Sequence, residues 1–414
     1  MLEKSRLNET KHPAWVMLLR LTALTGLYVL AGILGRKTAL LAGGSVLFWP
    51  PAGIALAGIL FFGYRYWPGI ALGSLVFSYL NHVPFGFFMV GTALGNAVGA
   101  VICAFFLNRF ISFDNALGRT RDAVGYLFFA CILGTTVNAL FSAVGLLNDK
   151  KILPDAMFDN ILEWWVPNAL AVLVLTPFII TWATPSPLRM TIWRKIEAVF
   201  CGAGLIFGTL IAFNTWFVYG LEEYPLAYLP CPFLVWSALR FGPRGAATGT
   251  LLVAVLAYDS LLQGGGPFLT GNFAHSLRLV GSYIAIVAAS NLLLAGAATE
   301  RRRALSEVLA NEKRLRLVVA DQQDLICRFL PDGRLTFANP AYCEFYSRPE
   351  AELLGKDFFK QLEPNEADEL REKLANLPPD WPVCIFDRRS IGGDGHAEAN
   401  AASLLRAAQA ALVA

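Results

Sequence analysis

The stretch Ala288-Ala-Ser-Asn-Leu-Leu-Leu-Ala-Gly-Ala-Ala298 is followed directly by Thr-Glu-Arg-Arg-Arg at positions 299–303. The first part is apolar enough to lie in a lipid bilayer, whereas such a cluster of charges belongs in water. Beyond the arginines a charged segment continues without Gly or Pro until Pro331. The chain therefore changes solvent at this junction, and one predicted helix joins a hydrophobic part to a small water-soluble part.

The composition is that of a membrane protein. The chain has 414 residues, of which 56% are hydrophobic and 16% are charged, whereas soluble domains carry about 25% charged residues. The net charge of +3 is too small to indicate nucleic-acid binding. Seven scattered cysteines without a C-x-x-C pair and four isolated histidines predict neither a disulfide framework nor a metal site.

Ten apolar runs come close to the roughly 20 residues that a transmembrane helix needs. They are residues 15–35, 46–63, 66–80, 85–107, 123–147, 161–183, 196–218, 225–239, 245–262 and 277–298. The runs 66–80 and 225–239 are the weakest, and each is either a span or a half-helix that does not cross. The sequence therefore predicts a polytopic α-helical membrane domain of eight to ten spans in a lipid bilayer.

Lys and Arg residues between the runs predict the orientation. If the N-terminus is cytoplasmic and the runs alternate, most of these residues fall on the cytoplasmic side, which is the usual bias. Both eight and ten spans leave Arg301–Arg303 on that side. We therefore expect both termini in the cytoplasm.

Two runs open on prolines. Trp49-Pro50-Pro51-Ala-Gly53 begins the second run, and Trp67-Pro68-Gly69 begins the third. Proline in the first turn of a helix costs little, and glycine lets two helices approach closely. These residues predict a tightly packed helix pair with interfacial tryptophans, and a ligand pocket is the alternative.

Two acids lie nearest to the interior of the runs. Glu163 precedes two tryptophans at the mouth of the sixth run, and Asp259 lies near the end of the ninth. An acid inside a membrane indicates a functional site, so both are speculative candidates for a ligand or proton site. Both also lie near predicted interfaces, where an acid is tolerated without a function.

The proline-bearing stretches together resemble a known family. Residues 48–56, Phe-Trp-Pro-Pro-Ala-Gly-Ile-Ala-Leu, and residues 63–69, Gly-Tyr-Arg-Tyr-Trp-Pro-Gly, resemble the signature of the membrane-associated sensor (MASE) domain, first type. Two further stretches fit this family, one around Pro167 and one containing Arg240 and Arg244. The resemblance covers residues 12–298. It implies a sensory input domain in a bacterial inner membrane, ahead of a histidine kinase or a cyclic-di-GMP enzyme, but supplies no agreed ligand.

Residues 299–323 have the composition of a signalling helix. Leu305, Val308, Leu315 and Val319 lie at near-heptad spacing, with Glu312 at the intervening position. A helix of this length extends roughly 30 Å or more. A parallel homodimer through this stripe and packing of the stripe on the chain's own soluble domain both remain open.

The soluble part resembles a PAS domain over residues 313–365. Residues 324–329 and 334–337 alternate like two strands around a Pro-Asp-Gly turn, and Asn339 then opens a short helical stretch. In PAS domains an asparagine at this point caps the helix. We assign residues 313–400 to this small α+β domain, with a degenerate or truncated end, and residues 401–414 to an alanine-rich tail.

No cofactor is evident, and any ligand of the PAS domain is unknown. Cys327-Arg-Phe-Leu330 resembles the photoactive flavin motif but falls on the first strand, and no histidine lies between His275 and His396 to ligate a haem. Residues 392–396, Gly-Gly-Asp-Gly-His, lack the Glu-Phe that would complete a GGDEF signature. Catalytic residues and metal ligands are therefore not predicted.

Three functions remain open. The first is a membrane sensory input protein that relays a signal through its linker helix to the PAS domain and a downstream signalling protein, without catalysis in this chain. The second is the input half of a longer diguanylate cyclase, phosphodiesterase or sensor histidine kinase. The third is a transporter with a regulatory tail, which the sparse polar residues of the runs disfavour.

Overall fold

A computed structural model describes residues 13–185, 191–213, 226–320, 326–330, 332–361, 364–375, 383–388 and 401–406. The glycine turn at 392–395, the strand start at 324–325 and the side chains of Leu315 and Val319 lie outside the described residues. The chain divides into two compact units, Met1–Arg303 and Ala304–Ala414.

The first unit is a bundle of helices. They are α1 Ala14–Leu41, α2 Pro50–Phe62, α3 Trp67–Leu80, α4 Phe87–Phe106, α5 Thr120–Tyr126, α6 Thr135–Asn148, α7 Met157–Ala183, α8 Ile192–Phe213, α9 Cys231–Leu262 and α10 Phe273–Ala320. A π-helical turn, Leu127–Gly134, joins α5 and α6 into one helical segment. Among the described residues, seven helical segments are long and apolar enough to cross a membrane. The chain is therefore a polytopic α-helical membrane protein.

Helix α9 contains the apolar run 245–262 and most of the run 225–239, and it reverses direction between them. Gly242 has φ 65° and ψ −153°, a left-handed conformation that glycine adopts without strain. A Cβ atom built on Gly249 would lie 3.2 Å from Leu234 Cδ2, although the two residues are four helical turns apart in sequence. Residues 231–241 and 243–262 are therefore the two antiparallel arms of a helical hairpin.

Three glycines of α4 let this helix pack closely against α6 and the π-helical turn that precedes it. Gly91, Gly95 and Gly99 follow one another at intervals of four and so lie on one face of α4. A Cβ atom on Gly91 would lie 2.6 Å from the Phe141 carbonyl oxygen, and one on Gly99 would lie 2.6 Å from the Gly134 carbonyl oxygen. Only glycine permits this approach of backbone to backbone.

The second unit contains short strands and helices. They are β1 Cys327–Phe329, β2 Leu335–Ala338, α11 Pro340–Phe345, α12 Glu350–Leu353, α13 Pro364–Ala375, β3 Val383–Arg388 and β4 Ala401–Arg406. β1 pairs antiparallel with β2, and β3 pairs antiparallel with β4. Their core includes Leu335, Tyr342, Phe358 and Leu370.

The end of the described chain differs from the sequence expectation. Residues 401–406 belong to the segment assigned from the sequence to an alanine-rich tail, but they form β4, with Ala401 opposite Arg388 and Arg406 opposite Val383. Alanine prefers helix only weakly in comparison with tertiary contacts, so pairing with a neighbouring strand outweighs that preference.

Candidate functional site

The proline motif of α2 attaches this helix to α7. The Trp49 backbone N–H donates to the Pro167 carbonyl oxygen at 3.1 Å, and Pro50 and Pro51 form the first turn of α2. Because proline has no N–H, two of the donors that a helix start leaves unpaired are absent here. Gly53 then approaches α7 so closely that a Cβ atom would lie 2.8 Å from the Ala171 carbonyl oxygen.

The related motif of α3 attaches it to α1 in the same way. Trp67 and Pro68 form the first turn of α3. Gly69 packs against the Leu21 backbone, and its carbonyl oxygen accepts a hydrogen bond from Thr25 Oγ1 at 3.0 Å. Both proline-bearing motifs therefore act as helix-packing points in the bundle.

The two arginines of the α9 motif join its hairpin to two other helices. Arg240 Nε lies 2.6 Å from Glu197 Oε1 of α8, and Trp236 Nε1 donates to the same oxygen at 3.1 Å. Arg244 Nε donates to the Thr181 carbonyl oxygen of α7 at 2.7 Å, and its guanidinium also donates to the Thr184 carbonyl. The hairpin turn is thus fixed to the adjoining ends of α7 and α8.

The two speculative acids lie on different helices, α7 and α9. Glu163 is exposed on the first half of α7. Asp259 is exposed near the end of α9, where its carboxylate accepts a hydrogen bond from Gln263 Nε2 at 2.7 Å. Among the described residues, neither acid belongs to a group of three or more His, Cys, Asp or Glu side chains that could hold a metal ion.

Two charged residues of α10, Glu300 and Arg302, make hydrogen bonds to the end of the bundle at which the α9 hairpin turns. Glu300 of α10 accepts hydrogen bonds from the Thr120 backbone N–H at 3.0 Å and from Thr120 Oγ1 at 2.7 Å. Thr120 is the first residue of α5, so the carboxylate caps a helix N-terminus, where negative charge is favoured.

Arg302 binds the hairpin turn of α9. Its guanidinium donates to the Leu239 carbonyl oxygen, and to the Arg240 carbonyl oxygen at 3.3 Å. Because α9 reverses direction at Gly242, the last carbonyl oxygens of its first arm have no donor within the helix. Arg302 supplies a donor to two of them, those of Leu239 and Arg240.

Glu300 and Arg302 together form what we call the clamp on α10. They are two residues apart, so they point roughly 200° from each other around the helix and reach two different parts of the bundle. Just before them, Ala295 of α10 packs with Ala238 and Ala246 from the two arms of the hairpin. The rotational position of α10 is thus fixed from both sides.

The sequence alone does not predict the hydrogen-bond partners of Glu300 and Arg302. Glu300 belongs to the opening stretch, but its partner Thr120 is 180 positions away. The role of Arg302 does leave a signal, since Pro243 predicts one unpaired carbonyl oxygen near the end of a helix. That signal identifies the acceptor and not the donor.

At the end of the bundle opposite the clamp, Asp149 joins the end of α6 to the start of α4. Its carboxylate accepts hydrogen bonds from the backbone N–H groups of Phe88 at 3.0 Å and Phe87 at 2.8 Å, at the start of α4. These bonds, with the Lys151 ammonium 3.6 Å away, hold the pKa of Asp149 below its usual range. Lys151 and the clamp therefore lie at opposite ends of the helices.

Asn339 of the second unit lies where the sequence predicts a helix cap. Its side-chain oxygen Oδ1 accepts a hydrogen bond from the Tyr342 backbone N–H at 3.0 Å and one from the Ile326 N–H at 3.0 Å. The first bond caps α11, and the second holds the chain that leads into β1. Among the described residues, no group of three or more His, Cys, Asp or Glu side chains could hold a metal ion.

Comparison with known proteins gives one match. The family model MASE1 matches residues 18–302, which include the proline motifs, the α9 hairpin and the clamp. No curated protein and no solved structure matches the chain.

Proposed function

We propose, from the premise that this chain belongs to the MASE1 family of membrane sensor domains, that its last membrane helix relays a signal from the bilayer to a cytoplasmic PAS domain. The clamp carries this proposal. Helix α10 runs unbroken from Phe273 to Ala320, and the clamp fixes it at the point where the apolar part of the helix ends.

The relay works by a change in the rotation of α10. A signal that repacks the hairpin arms of α9 moves the Leu239 carbonyl that Arg302 binds. Because Glu300 binds α5 on the other side, α10 cannot follow α9 without breaking one contact, so two packings compete. A ligand shifts such an equilibrium by binding one packing more tightly than the other.

The secondary structure of the second unit supports a PAS domain. The β1–β2 hairpin, the Asn339-capped α11 and the short α12 follow in the order that the sequence predicts. Leu305, Val308 and Leu309 form an exposed apolar stripe on the charged part of α10. We propose that this stripe contacts a second copy of the chain, and that the PAS domain passes the signal to a downstream signalling protein.

Replacing Arg302 by alanine tests the relay. Loss of the donor to Leu239 frees the hairpin turn, so amide hydrogen exchange of residues 236–246 should rise about 3- to 10-fold in the full chain, the effect of one charged hydrogen bond that is partly exposed. Exchange in residues 327–345 should change in the same variant.

Arg301→Ala is the matched control. Arg301 is the neighbouring exposed arginine, for which no hydrogen bond or ion pair is found within the described residues, so its removal should leave both regions unchanged. In Arg302→Ala, faster exchange at residues 236–246 together with unchanged exchange at residues 327–345 would contradict the relay. That result would still support the contact between Arg302 and the hairpin turn.

The proposed orientation places the clamp in the cytoplasm of a bacterial cell. Alkaline phosphatase fused after Arg303 should be inactive, because this enzyme needs an oxidising compartment, whereas a fusion after Lys151 should be active. Lys151 serves as the control because it lies at the other end of the bundle. The reverse pattern of activity would refute cytoplasmic termini.

A further inference from the structure

Three buried asparagines lie together inside the apolar bundle. Asn96 of α4, Asn138 of α6 and Asn168 of α7 are 8%, 6% and 2% exposed. Asn138 Nδ2 donates to Asn96 Oδ1 at 2.5 Å, and Asn96 Nδ2 donates to the Thr92 carbonyl oxygen at 2.7 Å. Polar side chains within membrane helices are costly to bury, and they mark functional sites.

A cavity of about 20 Å³ lies between these residues and α2. Its polar lining is made by the three asparagines, Thr135 and the Cys103 thiol, and Val172 of α7 adds an apolar wall. A cavity needs about 10–15 Å³ to hold one water molecule, so this one has room for a single small molecule. No Asp, Glu, Lys, Arg or His side chain lines it.

One hydrogen-bonding atom at this cavity has no partner. Asn168 Nδ2 donates to the Trp164 carbonyl oxygen at 2.6 Å, but the buried Asn168 Oδ1 accepts no hydrogen bond from the described residues. Buried polar atoms are rarely left unpaired, and an internal water commonly supplies the partner. The missing partner is therefore a hydrogen-bond donor.

We propose that the cavity between α2, α4, α6 and α7 binds one neutral, water-sized hydrogen-bond donor, with Asn168 Oδ1 as its acceptor. The volume admits one small molecule, the acceptor requires a donor, and the uncharged lining favours a neutral one. Water and ammonia both have this chemistry. The occupant bridges α7 to the α4–α6 pair, so its presence stabilises the packing of these helices.

A double-mutant cycle in the purified full chain tests the proposal. Val172→Ile adds one methylene group to the cavity wall and leaves the acceptor in place, whereas Asn168→Leu removes the acceptor. If the site is occupied, Val172→Ile displaces the occupant and lowers Tm by about 2–4 °C, but it leaves Tm unchanged or raises it in the Asn168→Leu background. If the cavity is empty, Val172→Ile fills a void and raises Tm in both backgrounds, which overturns the proposal.

A structure of the unmodified full chain, at a resolution that shows ordered waters, gives a second test that needs no variant. Density within hydrogen-bond distance of Asn168 Oδ1 is expected, and its absence would overturn the site.

Thermal melting of the chain in ammonium chloride and in an equal concentration of sodium chloride, at alkaline pH, distinguishes water from ammonia as the occupant. Equal Tm values with density present identify water, and a higher Tm in ammonium chloride that Asn168→Leu abolishes identifies ammonia. Neither result depends on the relay through α10.

Discussion

Replacing Gly99 by alanine is expected to lower the free energy of unfolding of the membrane domain by about 1–3 kcal/mol, the usual cost of overpacking. The added Cβ atom would lie 2.6 Å from the Gly134 carbonyl oxygen. The neighbour is backbone, so no side-chain rotation can make room and α4 must move away from α6. That movement also separates Asn96 from Asn138, which are hydrogen-bonded across the same contact.

Gly26→Ala in α1 is the control, because a Cβ atom there would have no heavy atom within 4 Å. Alanine is better than glycine in a helix interior by about 0.5–1 kcal/mol, so this variant should be as stable as the unmodified chain or more stable. Both variants can be compared by thermal unfolding of the full chain in one detergent. Equal melting temperatures would show that the α4–α6 contact is looser than described.

Asn339→Ala should destabilise the start of the second unit by roughly 2–4 kcal/mol, the sum of a lost helix cap and an unpaired buried donor. Asn339 is fully buried, and its Oδ1 serves two backbone N–H groups, those of Tyr342 and Ile326. Amide hydrogen exchange of residues 335–346 in the full chain measures the loss.

Asn339→Asp retains an acceptor oxygen at the same position, and aspartate caps helices about as well as asparagine. This variant should therefore keep most of the protection from exchange. If alanine and aspartate gave the same exchange rates, the two hydrogen bonds of Asn339 would not be what holds β1, β2 and α11 together.

The sequence predicts the helices well because lipid imposes a simple rule of length and polarity. Within the described residues each of the ten apolar runs overlaps a helix, two of them as the arms of the α9 hairpin. Seven helical segments there, rather than the eight to ten predicted spans, are long and apolar enough to cross a membrane. The sequence predicts the contacts between these helices less well. The spacing of Gly91, Gly95 and Gly99 is a recognisable packing signal that directly predicts one face of α4, but nothing in it identifies α6 as the partner.

For the candidate sites too, the sequence identifies individual residues but not which of them lie together. Asn96, Asn138 and Asn168 stand out as amides within apolar runs, yet only the bundle shows that they surround one cavity. Glu163 and Asp259, the acids that sequence reasoning selects, lie exposed on different helices. An acid at the membrane interface stays in contact with water, so it costs little free energy. Such an acid is therefore a weaker indicator of a site than a buried amide.

Helix α2 has a consequence for how the protein enters the membrane. Its 13 residues extend about 20 Å, whereas the hydrocarbon core is about 30 Å thick. Eight of these residues are buried by neighbouring helices, Gly53 and Gly58 among them, so α2 offers little surface to lipid. A segment this short has no stable position in the bilayer alone during biosynthesis. Because Gly53 packs against the Ala171 backbone of α7, we expect α2 to reach its final position in the bilayer only after that much later helix has been made.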